Sequence, residues 1–416
     1  MEGDALRVTV TAGSKSAQGR TAVCAPPSKS MAHRHLICAA LADGESIIRN
    51  VALSEDVLAT IDCLRALGAG IQASEETGMA GDPGRRVTLR VRGTDLQKQT
   101  DAVLACRESG STLRFLIPLA AVSGGRVLMT GCGRLMERPL TVYEDLFRDG
   151  DAELIRLEEG VSVRGRLRSG EYTMDGGVSS QFVSGMLFAL PLLGGDSIIR
   201  LIPPVESRPY IDMTIRALEM SGVQAVWSDK TTISIGGGQK YMPADITVEG
   251  DWSNGAYLMA AGAEVTGLDP DTLQGDRICR EYFSRLDENE ADLDISDCPD
   301  LGPALMAYAA MRKGCVLRGT RRLRIKESDR GEAMKAELAK FGVRVDISDN
   351  CIRVGSGLCA PREMLSGHND HRIVMALTAL CTKAGGTIEG AEAVAKSFPD
   401  FFETLLNAGI IQYKES

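Results

Sequence analysis

The sequence SKSMAHRHLICAALADGESIIRN, residues 28–50, contains the pattern on which the fold depends. It begins with polar residues and the cations Lys29 and Arg34, continues as an apolar helix, turns at Gly44 and ends in a strand with two adjacent isoleucines. A change from the helical to the strand period across a glycine turn is typical of an α/β repeat. The cations at the start of the helix need a separate explanation.

The same pattern occurs six times along the chain. The other copies begin at Glu108, Ser179, Asp251, Pro299 and Asn369. Each copy is followed by a more amphipathic helix that ends near a glycine before another strand, as in RPYIDMTIRALEMSGVQAVW, residues 208–227. Such internal similarity indicates a repeat architecture. The fourth copy is followed closely by the fifth, so we expect the fourth repeat to have lost a pair of strands.

The two kinds of helix predict how the repeats pack. The first helix of each repeat is apolar around almost its whole circumference and should be buried on all sides, whereas the second is charged on one face and should lie outside. We therefore expect an α/β fold in which buried helices are surrounded by sheets and outer helices, with three repeats in each globule. The glycine-rich stretch ISIGGGQKYMPAD, residues 233–245, is the predicted crossing between two halves.

Composition excludes several classes of protein. The chain has 416 residues, 44% of them hydrophobic, and 47 Lys and Arg against 56 Asp and Glu give a net charge of −9. This charge argues against a general affinity for nucleic acid or anionic membrane. No apolar run approaches the ~18 residues of a membrane span, and the start MEGDALRVTV has no secretory signal. We expect a cytoplasmic protein.

The cysteines and histidines do not indicate a metal site. The eleven cysteines include no CxxC pair and are expected to be free, buried thiols. His33 and His35 are two residues apart, so on a helix their side chains diverge by about 200° and cannot bind one ion together. We expect no metal.

The starts of the helices carry an unusual number of long cations. A helix N-terminus attracts anions through its unpaired N–H groups and its dipole. N-capping alone could explain Ser28, Ser109 and Ser179, and solvated ion pairs could explain any single cation. Together, cations at the ends of apolar helices favour a cleft for a small, highly anionic substrate. These cations are Lys29, Arg34, Arg114, Arg138, Arg208, Lys326, Arg330, Arg372 and Lys396.

Three acids lie among these cations in the sequence. They are Asp300, Glu327 and Asp370. A lysine and a carboxylate in an anion-binding cleft could supply a general acid and a general base. Simple charge balance is the alternative, and it is a better explanation for Asp370 than for Asp300, which opens an apolar helix.

At these residues the sequence resembles the 5-enolpyruvylshikimate-3-phosphate synthase family of enolpyruvyl transferases. The resemblance extends nearly from end to end and rests on nine segments in the family's order: PPSKSMAHR, ESGSTLRF, RLMERPL, DGGVSSQF, ESRPYIDMT, VEGDWSNGAY, KESDR, NDHRIVMA and KSFPDFF. It implies a two-domain, inside-out α/β barrel of six βαβαββ-type repeats. The implied N-terminal lobe spans residues 23–237, the C-terminal lobe spans residues 1–22 and 238–416, and the active site lies in the cleft between them.

The resemblance also implies an activity. The chain would be a transferase that moves the enolpyruvyl (carboxyvinyl) group of phosphoenolpyruvate to the 5-hydroxyl of shikimate 3-phosphate. The reaction would pass through a tetrahedral intermediate and release phosphate, in the biosynthesis of chorismate and the aromatic amino acids. It implies no cofactor and no metal. We expect a monomer whose partners are the two small substrates, with no nucleic acid and no membrane.

The roles of individual residues follow from the same resemblance. Asp300 is the implied base for the 5-hydroxyl, and Glu327 with Lys29 would handle protons at the methylene carbon. The residues implied to bind shikimate 3-phosphate are Lys29, Ser30, Arg34, Ser179, Ser180, Gln181, Ser207, Tyr210, Asp300 and Lys326. The residues implied to bind phosphoenolpyruvate are Lys29, Gly110, Arg138, Gln181, Arg330, Arg372 and Lys396.

Some positions depart from the family's pattern. Glu108 stands where the family usually has Asn, and an acid there could alter affinity for phosphoenolpyruvate or pair with Arg138. Arg322 stands where a second Asn is usual, near the shikimate site, and Ser111 stands where Thr is common.

Two other functions are compatible with the repeats. A UDP-N-acetylglucosamine enolpyruvyltransferase would have a Lys-Asn pair where Lys29-Ser30 stands and a reactive cysteine in a glycine-rich loop; Cys106 lacks that loop and is predicted to be buried. A DNA clamp can also be built from six repeats of helices and strands. It would line its hole with basic helix faces, whereas here the cations gather at helix starts.

Overall fold

The computed structural model describes residues 5–13, 22–75, 85–96, 101–148 and 150–416. Its strands, in chain order, are β1 (Arg7–Val10), β2 (Ala22–Cys24), β3 (Glu45–Ala52), β4 (Gly70–Glu75), β5 (Arg86–Arg92), β6 (Asp101–Ala105), β7 (Arg126–Thr130), β8 (Ala152–Leu157), β9 (Gly160–Gly165), β10 (Glu171–Asp175), β11 (Ser197–Ile202), β12 (Ala225–Trp227), β13 (Thr232–Ile235), β14 (Asp245–Thr247), β15 (Glu264–Thr266), β16 (Ala291–Asp294), β17 (Cys315–Arg318), β18 (Val345–Ile347), β19 (Cys351–Val354), β20 (Leu365–Ser366), β21 (Gly386–Glu389) and β22 (Tyr413–Glu415).

The helices alternate with these strands. The α-helices are α1 (Lys29–Leu41), α2 (Glu55–Ala66), α3 (Gly110–Ser123), α4 (Thr141–Arg148), α5 (Ser180–Ala189), α6 (Arg208–Met220), α7 (Trp252–Ala261), α8 (Cys279–Glu288), α9 (Gly302–Ala310), α10 (Arg330–Lys340), α11 (His371–Ala384) and α12 (Phe401–Asn407). Short 3₁₀ helices are formed by Leu135–Glu137, Leu190–Leu192, Gly275–Ile278, Pro299–Leu301, Arg321–Ile325 and Ala391–Lys396.

One arrangement of strands recurs through the chain. In β6-α3-β7-α4-β8-β9, the crossover helix α3 joins the parallel strands β6 and β7, β9 pairs antiparallel with β7, and β8 lies at the edge. The same order is found in the sheets β10-β11-β13-β12 and β16-β17-β19-β18. A parallel pair requires a crossover connection, and the buried helix supplies it. The predicted βαβαββ repeat is therefore present in the structure.

Strands from distant parts of the sequence complete the other sheets. β14 pairs parallel with β3, and β1 pairs antiparallel with both β21 and β22 in the sheet of the last repeat. The fourth repeat is reduced as predicted: among the described strands its sheet consists of β2 and β15 alone. After α8 the chain enters β16, which already belongs to the next sheet.

The chain divides into two compact units. The described parts of residues 1–28, 77–85 and 249–416 form the C-terminal unit, and those of 29–76 and 86–248 form the N-terminal unit. The division after Ser28 and Val248 lies later than the predicted ones after residues 22 and 237, because β2 pairs with β15 in the C-terminal unit and β14 pairs with β3 in the N-terminal unit. The stretch 233–245 therefore lies inside the N-terminal unit.

Each unit has its own hydrophobic core around fully buried helices. These helices are α1, α3 and α5 in the N-terminal unit and α7, α9 and α11 in the C-terminal unit, and nearly every residue in each of them is buried. The helices α4, α8 and α12 bury one face only. The sequence prediction of buried first helices and amphipathic second helices is confirmed.

The packing of α3 against α5 shows how close these buried helices come. Pro118 inside α3 has no N–H, so the carbonyl of Arg114 lacks its helical donor. The Tyr143 hydroxyl, 2.7 Å away, satisfies this carbonyl. A Cβ placed on Gly185 of α5 would collide with the Tyr143 hydroxyl and would lie 2.5 Å from the Arg114 carbonyl oxygen. Glycine is therefore required at this helix contact.

The cysteines are free, as predicted, but not all are buried. No disulfide forms among the eleven, all of which lie in the described ranges. Cys132 and Cys359 are exposed, and Cys24 and Cys351 are half-buried, because these residues occupy loops and short strands at the surface. Cys106 is 0% exposed, in agreement with the prediction.

We expect Gly185→Ala to lower the free energy of unfolding by about 1–3 kcal/mol, since the added methyl group overpacks the α3–α5 contact. The measurement is the midpoint of urea denaturation. Gly194→Ala is the matched control, because a Cβ there meets no atom within 4 Å, and it should be neutral or slightly stabilising. Equal midpoints for the two variants would contradict the close contact.

Candidate active site

The first group of predicted site residues lies at the N-terminal ends of α1, α3 and α5 in the N-terminal unit. Serine side chains cap two of these ends: Ser109 Oγ accepts the N–H of Thr112 at 3.2 Å, and Ser179 Oγ accepts the N–H of Gln181 at 3.3 Å. Long cations lie beside these ends. We call the group the basic cluster; its members are Lys29, Ser30, Arg34, Gly110, Arg114, Arg138, Ser179, Ser180 and Gln181.

Lys29 is the first residue of α1 and forms an ion pair with Asp56 on α2. The Lys29 Nζ lies 2.7 Å from Asp56 Oδ2, and the two side chains are 13% and 11% exposed. A nearly buried ion pair restricts the position of the ammonium group. Asp56 was not among the predicted site residues, because the helix dipole favours a carboxylate in the first turn of any amphipathic helix.

A chain of buried hydrogen bonds links the starts of α1 and α3 through α2. His33 Nδ1 lies 2.7 Å from Thr60 Oγ1, Thr60 Oγ1 lies 2.7 Å from Thr112 Oγ1, and the Thr112 hydroxyl donates to Ser109 Oγ at 2.7 Å. Burial lowers the pKa of His33 well below its ordinary value, and two cations at the start of α1 add to this effect, so the ring is neutral at neutral pH. The chain fixes the first turn of α3 relative to α1.

Arg34 is a buried cation with neutral partners. Its Nε donates to Thr214 Oγ1 at 2.9 Å, and its Nη1 and Nη2 donate to the carbonyl oxygens of Ser30 and Tyr210 at 2.7 and 2.8 Å. Burial lowers the pKa of Arg34 to about 10, so the guanidinium still carries its charge at neutral pH. No carboxylate in the described ranges forms an ion pair with it, which favours the approach of an anion.

Three of the residues predicted to bind phosphoenolpyruvate are brought together by α3 and α5. Arg114 Nη1 donates to Gln181 Oε1 at 2.7 Å, and Gln181 Nε2 donates to Ser111 Oγ at 2.9 Å. A Cβ placed on Gly110 would lie 2.5 Å from Arg138 Nη1, so glycine allows the guanidinium to approach the first turn of α3. Gly110, Arg138 and Gln181 therefore lie around one helix start, with Arg114 as a further cation.

The residues predicted to bind shikimate 3-phosphate are also placed near helix starts in this unit. Ser179 caps α5, and Ser180 is its first residue and is 6% exposed. Ser207 is fully buried, has φ 54° and immediately precedes α6, on which Tyr210 is half-buried. Because Arg34 donates to the carbonyl of Tyr210, α1 and α6 are directly joined at this point.

The second group of predicted residues belongs to the C-terminal unit. Asp300 lies in the 3₁₀ helix that precedes α9, and Lys326 follows another 3₁₀ helix just before α10. Asp370 caps α11, since its Oδ1 accepts the N–H of Arg372 at 2.9 Å. We call the group the Arg330 cluster; its members are Asp300, Lys326, Glu327, Arg330, Asp370, Arg372 and Lys396.

Arg330 lies between three carboxylates. Its side chain is 2% exposed, and it donates to Asp300 Oδ1 at 2.8 Å and to Glu327 Oε2 at 2.6 Å. It also donates to both oxygens of Asp370, at 2.9 and 3.2 Å. Burial alone would lower the pKa of Arg330, but the three carboxylates outweigh it and raise the pKa well above its ordinary value. The arginine therefore holds together the starts of α9, α10 and α11.

Asp300 is surrounded by cations. Its Oδ1 lies 3.0 Å from Lys326 Nζ, and its Oδ2 lies 3.7 Å from Arg372 Nη2. Burial alone would raise the pKa of Asp300, yet Lys326, Arg372 and Arg330 hold it well below its ordinary value. Asp300 is thus ionised at neutral pH and can accept a proton. Burial lowers the pKa of Lys326, and the charge of Asp300 opposes this effect.

Lys396 is held by the residue before Asp370. Its Nζ donates to the carbonyl oxygen and to Oδ1 of Asn369, both at 2.7 Å. Ser328 Oγ donates to Asp370 Oδ2 at 2.9 Å. Asn369 and Ser328 were not predicted as site residues, although both flank predicted residues in the segments NDHR and KESDR, and Asp370 was predicted only as a candidate acid or as charge balance.

The turn that leads into α11 depends on Glu337. Its Oε1 accepts from His368 Nε2 at 2.9 Å, and its Oε2 accepts from the Ser366 N–H at 3.0 Å and from Lys340 Nζ at 2.9 Å. His368 and Asn369 both have φ 50°, a left-handed conformation that is strained for residues with side chains. Glu337 therefore stabilises the strained turn that positions Asn369.

Two positions outside the usual family pattern have defined surroundings. The Glu108 carboxylate lies against Gly133, which has φ 53° and precedes the 3₁₀ helix leading to Arg138. Arg322 is 6% exposed, and its Nη1 lies 3.4 Å from the carbonyl oxygen of Ser296. Each is thus close to an element that carries a predicted site residue.

Comparison with known proteins identifies the family. A family model described as EPSP synthase (3-phosphoshikimate 1-carboxyvinyltransferase) matches residues 13–405. The chain belongs to the EPSP synthase family. A curated 3-phosphoshikimate 1-carboxyvinyltransferase from Clostridium kluyveri is 40% identical over 416 residues, which cover 92% of this chain and 94% of the relative. One from Clostridium perfringens is 38% identical over 414 residues, covering 92% and 95%.

A solved structure of an EPSP synthase shares the fold. The enzyme from Acinetobacter baumannii superposes with a TM-score of 0.74 at 23% identity, over 98% of this chain and 100% of the other. The predicted α/β fold class and the family resemblance are confirmed. In the residues that the structure describes, no helix combines the length and apolarity needed to cross a bilayer.

We expect Glu337→Gln to lower the melting temperature at neutral pH. Burial alone would raise the pKa of Glu337, but hydrogen bonds from His368, Lys340 and the Ser366 N–H lower it overall. A lowered carboxylate pKa contributes stability above the unfolded-state pKa, ~4.3 for Glu, and this stability is lost as the pH falls through the folded-state pKa. The difference between variant and wild type should therefore shrink in acid.

The measurement is the melting temperature between neutral pH and pH ~3, a range that spans the ordinary pKa of Glu. Glu363→Gln is the control, because Glu363 is exposed and lies close to the same turn in the sequence. It should follow the wild type at every pH. A constant difference between the Glu337 variant and wild type across the range would contradict the assigned role of the carboxylate.

Proposed function

We infer that the chain transfers the enolpyruvyl group of phosphoenolpyruvate to the 5-hydroxyl of shikimate 3-phosphate and releases phosphate. Family membership supports this reaction. The observation that carries the inference is the state of Asp300: an ionised carboxylate 3.0 Å from Lys326 and within a group of buried arginines. Such a group offers both a base and binding sites for anions.

The charges of the substrates match the two clusters. Each substrate carries a phosphate and a carboxylate, so the reaction requires four anionic groups to be gathered before the chemistry begins. In the basic cluster, Arg34 has neutral partners and Arg138 lies beside the start of α3. Arginine binds carboxylate and phosphate through two parallel hydrogen bonds. Positioning and electrostatic stabilisation would therefore supply most of the catalysis.

The proposed steps need no covalent bond to the enzyme. In the addition, the 5-oxygen attacks C2 of phosphoenolpyruvate, its proton passes to Asp300, and the C3 methylene carbon gains a proton from Lys29 or Glu327. In the elimination, the group that protonated C3 takes a proton back from it, the C2–O bond to phosphate breaks and the enol ether forms, while the proton on Asp300 leaves with the phosphate. The products are 5-enolpyruvylshikimate 3-phosphate and inorganic phosphate.

Substrate binding would activate Asp300. Its pKa is lowered by Lys326, Arg372 and Arg330. When substrate anions pair with these cations, the carboxylate loses part of that stabilisation, so its pKa rises and it becomes a better base. The base would thus gain strength as the substrates bind and would be strongest when both are bound.

The roles of individual binding residues, the cellular location and the oligomeric state remain predictions. We propose that shikimate 3-phosphate is held through Arg34, and phosphoenolpyruvate through Lys29 and Arg372; the other predicted binding residues keep the roles given by the resemblance. That both clusters act on one pair of substrates is part of the same proposal. A cytoplasmic monomer that does not bind nucleic acid is also still a prediction.

We expect phosphate release from phosphoenolpyruvate to depend on shikimate 3-phosphate, and Asp300→Asn to reduce kcat by about 10²–10⁴-fold, the usual contribution of a general base. The cations that bind both substrates remain in this variant, so the KM values should change much less. Coupled assay of phosphate gives both constants, and thermal melting checks folding.

Asp297→Asn is the matched control, since Asp297 is an exposed carboxylate three residues earlier. It should retain wild-type kcat. Wild-type kcat in Asp300→Asn would overturn the role of Asp300, whereas phosphate release that required UDP-N-acetylglucosamine instead would favour the alternative transferase. Binding of DNA without any turnover would favour the clamp.

A further inference from the structure

Arg372 has weaker partners than its neighbour Arg330. It is 3% exposed, its Nη1 donates to Asn254 Oδ1 at 3.3 Å, and its Nη2 lies 3.7 Å from Asp300 Oδ2. Within the described ranges no acceptor lies within hydrogen-bonding distance of its Nε. The guanidinium carbon lies 5.3 Å from the centre of the Tyr257 ring. A buried charge with so few close acceptors can still form strong bonds to an anion.

Asn254 supplies the closest acceptor. It is 0% exposed and lies in the first turn of α7, where Asp251 Oδ1 accepts its N–H at 2.8 Å. Because a guanidinium has donors only, the amide must present its oxygen to Arg372. The amide nitrogen is then free to donate to Ser397 Oγ, at 3.2 Å.

One side chain therefore contacts α11 and the segment after Lys396, two of the elements that present phosphoenolpyruvate ligands under the proposed function. Arg372 is on α11, and Ser397 directly follows Lys396 at the end of a 3₁₀ helix. The start of α7, DWSN, has no lysine or arginine of its own, in contrast to the starts of α1 and α11. The reduced fourth repeat thus contributes an oriented amide in place of a cation.

We propose that Asn254 is a positioning residue for phosphoenolpyruvate binding, which rests on the proposed function. Its neutral oxygen orients the Arg372 guanidinium without neutralising it, and its amide nitrogen fixes the segment that carries Lys396. A carboxylate at this position would have the same shape, but it would pair with Arg372 and compete with the substrate anion.

The alternative is a purely structural role, in which Asn254 only fills space and satisfies buried polar atoms. The two roles predict opposite orders for two substitutions. If the role is structural, Asn254→Asp should remain closer to wild type than Asn254→Ala in substrate affinity, since Asp keeps the shape. If Asn254 positions a charged Arg372, Asn254→Asp should impair phosphoenolpyruvate binding more than Asn254→Ala does, while its melting temperature is at least as high.

The test is the initial rate of phosphate release, with each substrate varied at saturation of the other. We expect the KM for phosphoenolpyruvate to rise about tenfold in Asn254→Ala, the effect of one hydrogen bond to a charged group, and further in Asn254→Asp. The KM for shikimate 3-phosphate should change less than about twofold, because the altered hydrogen bond serves the other substrate. Ser253→Ala is the control: Ser253 is a buried neighbour whose hydroxyl has no hydrogen-bond partner in the described ranges, so both KM values should remain at wild type.

An unchanged KM for phosphoenolpyruvate in both Asn254 variants, or a smaller change in Asn254→Asp than in Asn254→Ala, would overturn the proposal. If Asn254→Ala does not fold, Asn254→Asp alone decides, because it preserves the shape of the side chain. If the wild-type protein releases no phosphate at all, the proposed function is wrong, but this result does not decide the role of Asn254. Calorimetric titration with phosphoenolpyruvate then tests the inference, and weaker binding by Asn254→Asp would still support it.

Discussion

The buried guanidinium of Arg330 is the interaction on which the C-terminal unit depends. It contacts carboxylates from three separate parts of the chain, Asp300, Glu327 and Asp370. Burying an ion is costly unless partners replace the lost water, and an ion left without its partner is strongly destabilising. The arrangement therefore holds three helix starts in register and also fixes the carboxylate proposed to act as the base.

In the N-terminal unit, two arginines have neutral hydrogen-bond partners instead of carboxylates. Arg34 donates to a threonine hydroxyl and two carbonyl oxygens, and Arg114 donates to an amide oxygen. Neutral acceptors position an arginine but leave its charge available, whereas the carboxylates around Arg330 largely neutralise it. In the C-terminal unit, Asn254 is likewise a neutral acceptor for Arg372. In the proposed division, Arg34 and Arg372, whose hydrogen-bond acceptors are neutral, receive substrate anions, and the group around Arg330 holds the base. Lys29 differs from both, because it is ion-paired with Asp56.

Much of the fold could be predicted from the sequence, because the repeats mark helices and strands locally. The buried character of α3 and the reduced fourth repeat follow from apolar periodicity and spacing. The boundaries could not be predicted as well, since they depend on pairing between strands far apart in sequence, such as β14 with β3. In the site, cations at helix starts were visible as a pattern. Two of their partners were not visible: Asp56 and Asn254 look like ordinary residues of a first helical turn, and only the packing of other helices brings Lys29 and Arg372 to them.

The position of β1 has a consequence for how the chain is made. Val8 pairs with Ile388 on one side and with Glu415 on the other, so this strand is completed only after residues far downstream in the sequence have been translated. Closing so long a loop is slow and entropically costly. Residues 29–76 and 86–248, in contrast, contain all the pairing partners of their own described strands. The biosynthetic order thus allows the sheets of the N-terminal unit to form while β1 of the C-terminal unit still lacks the strands on either side of it.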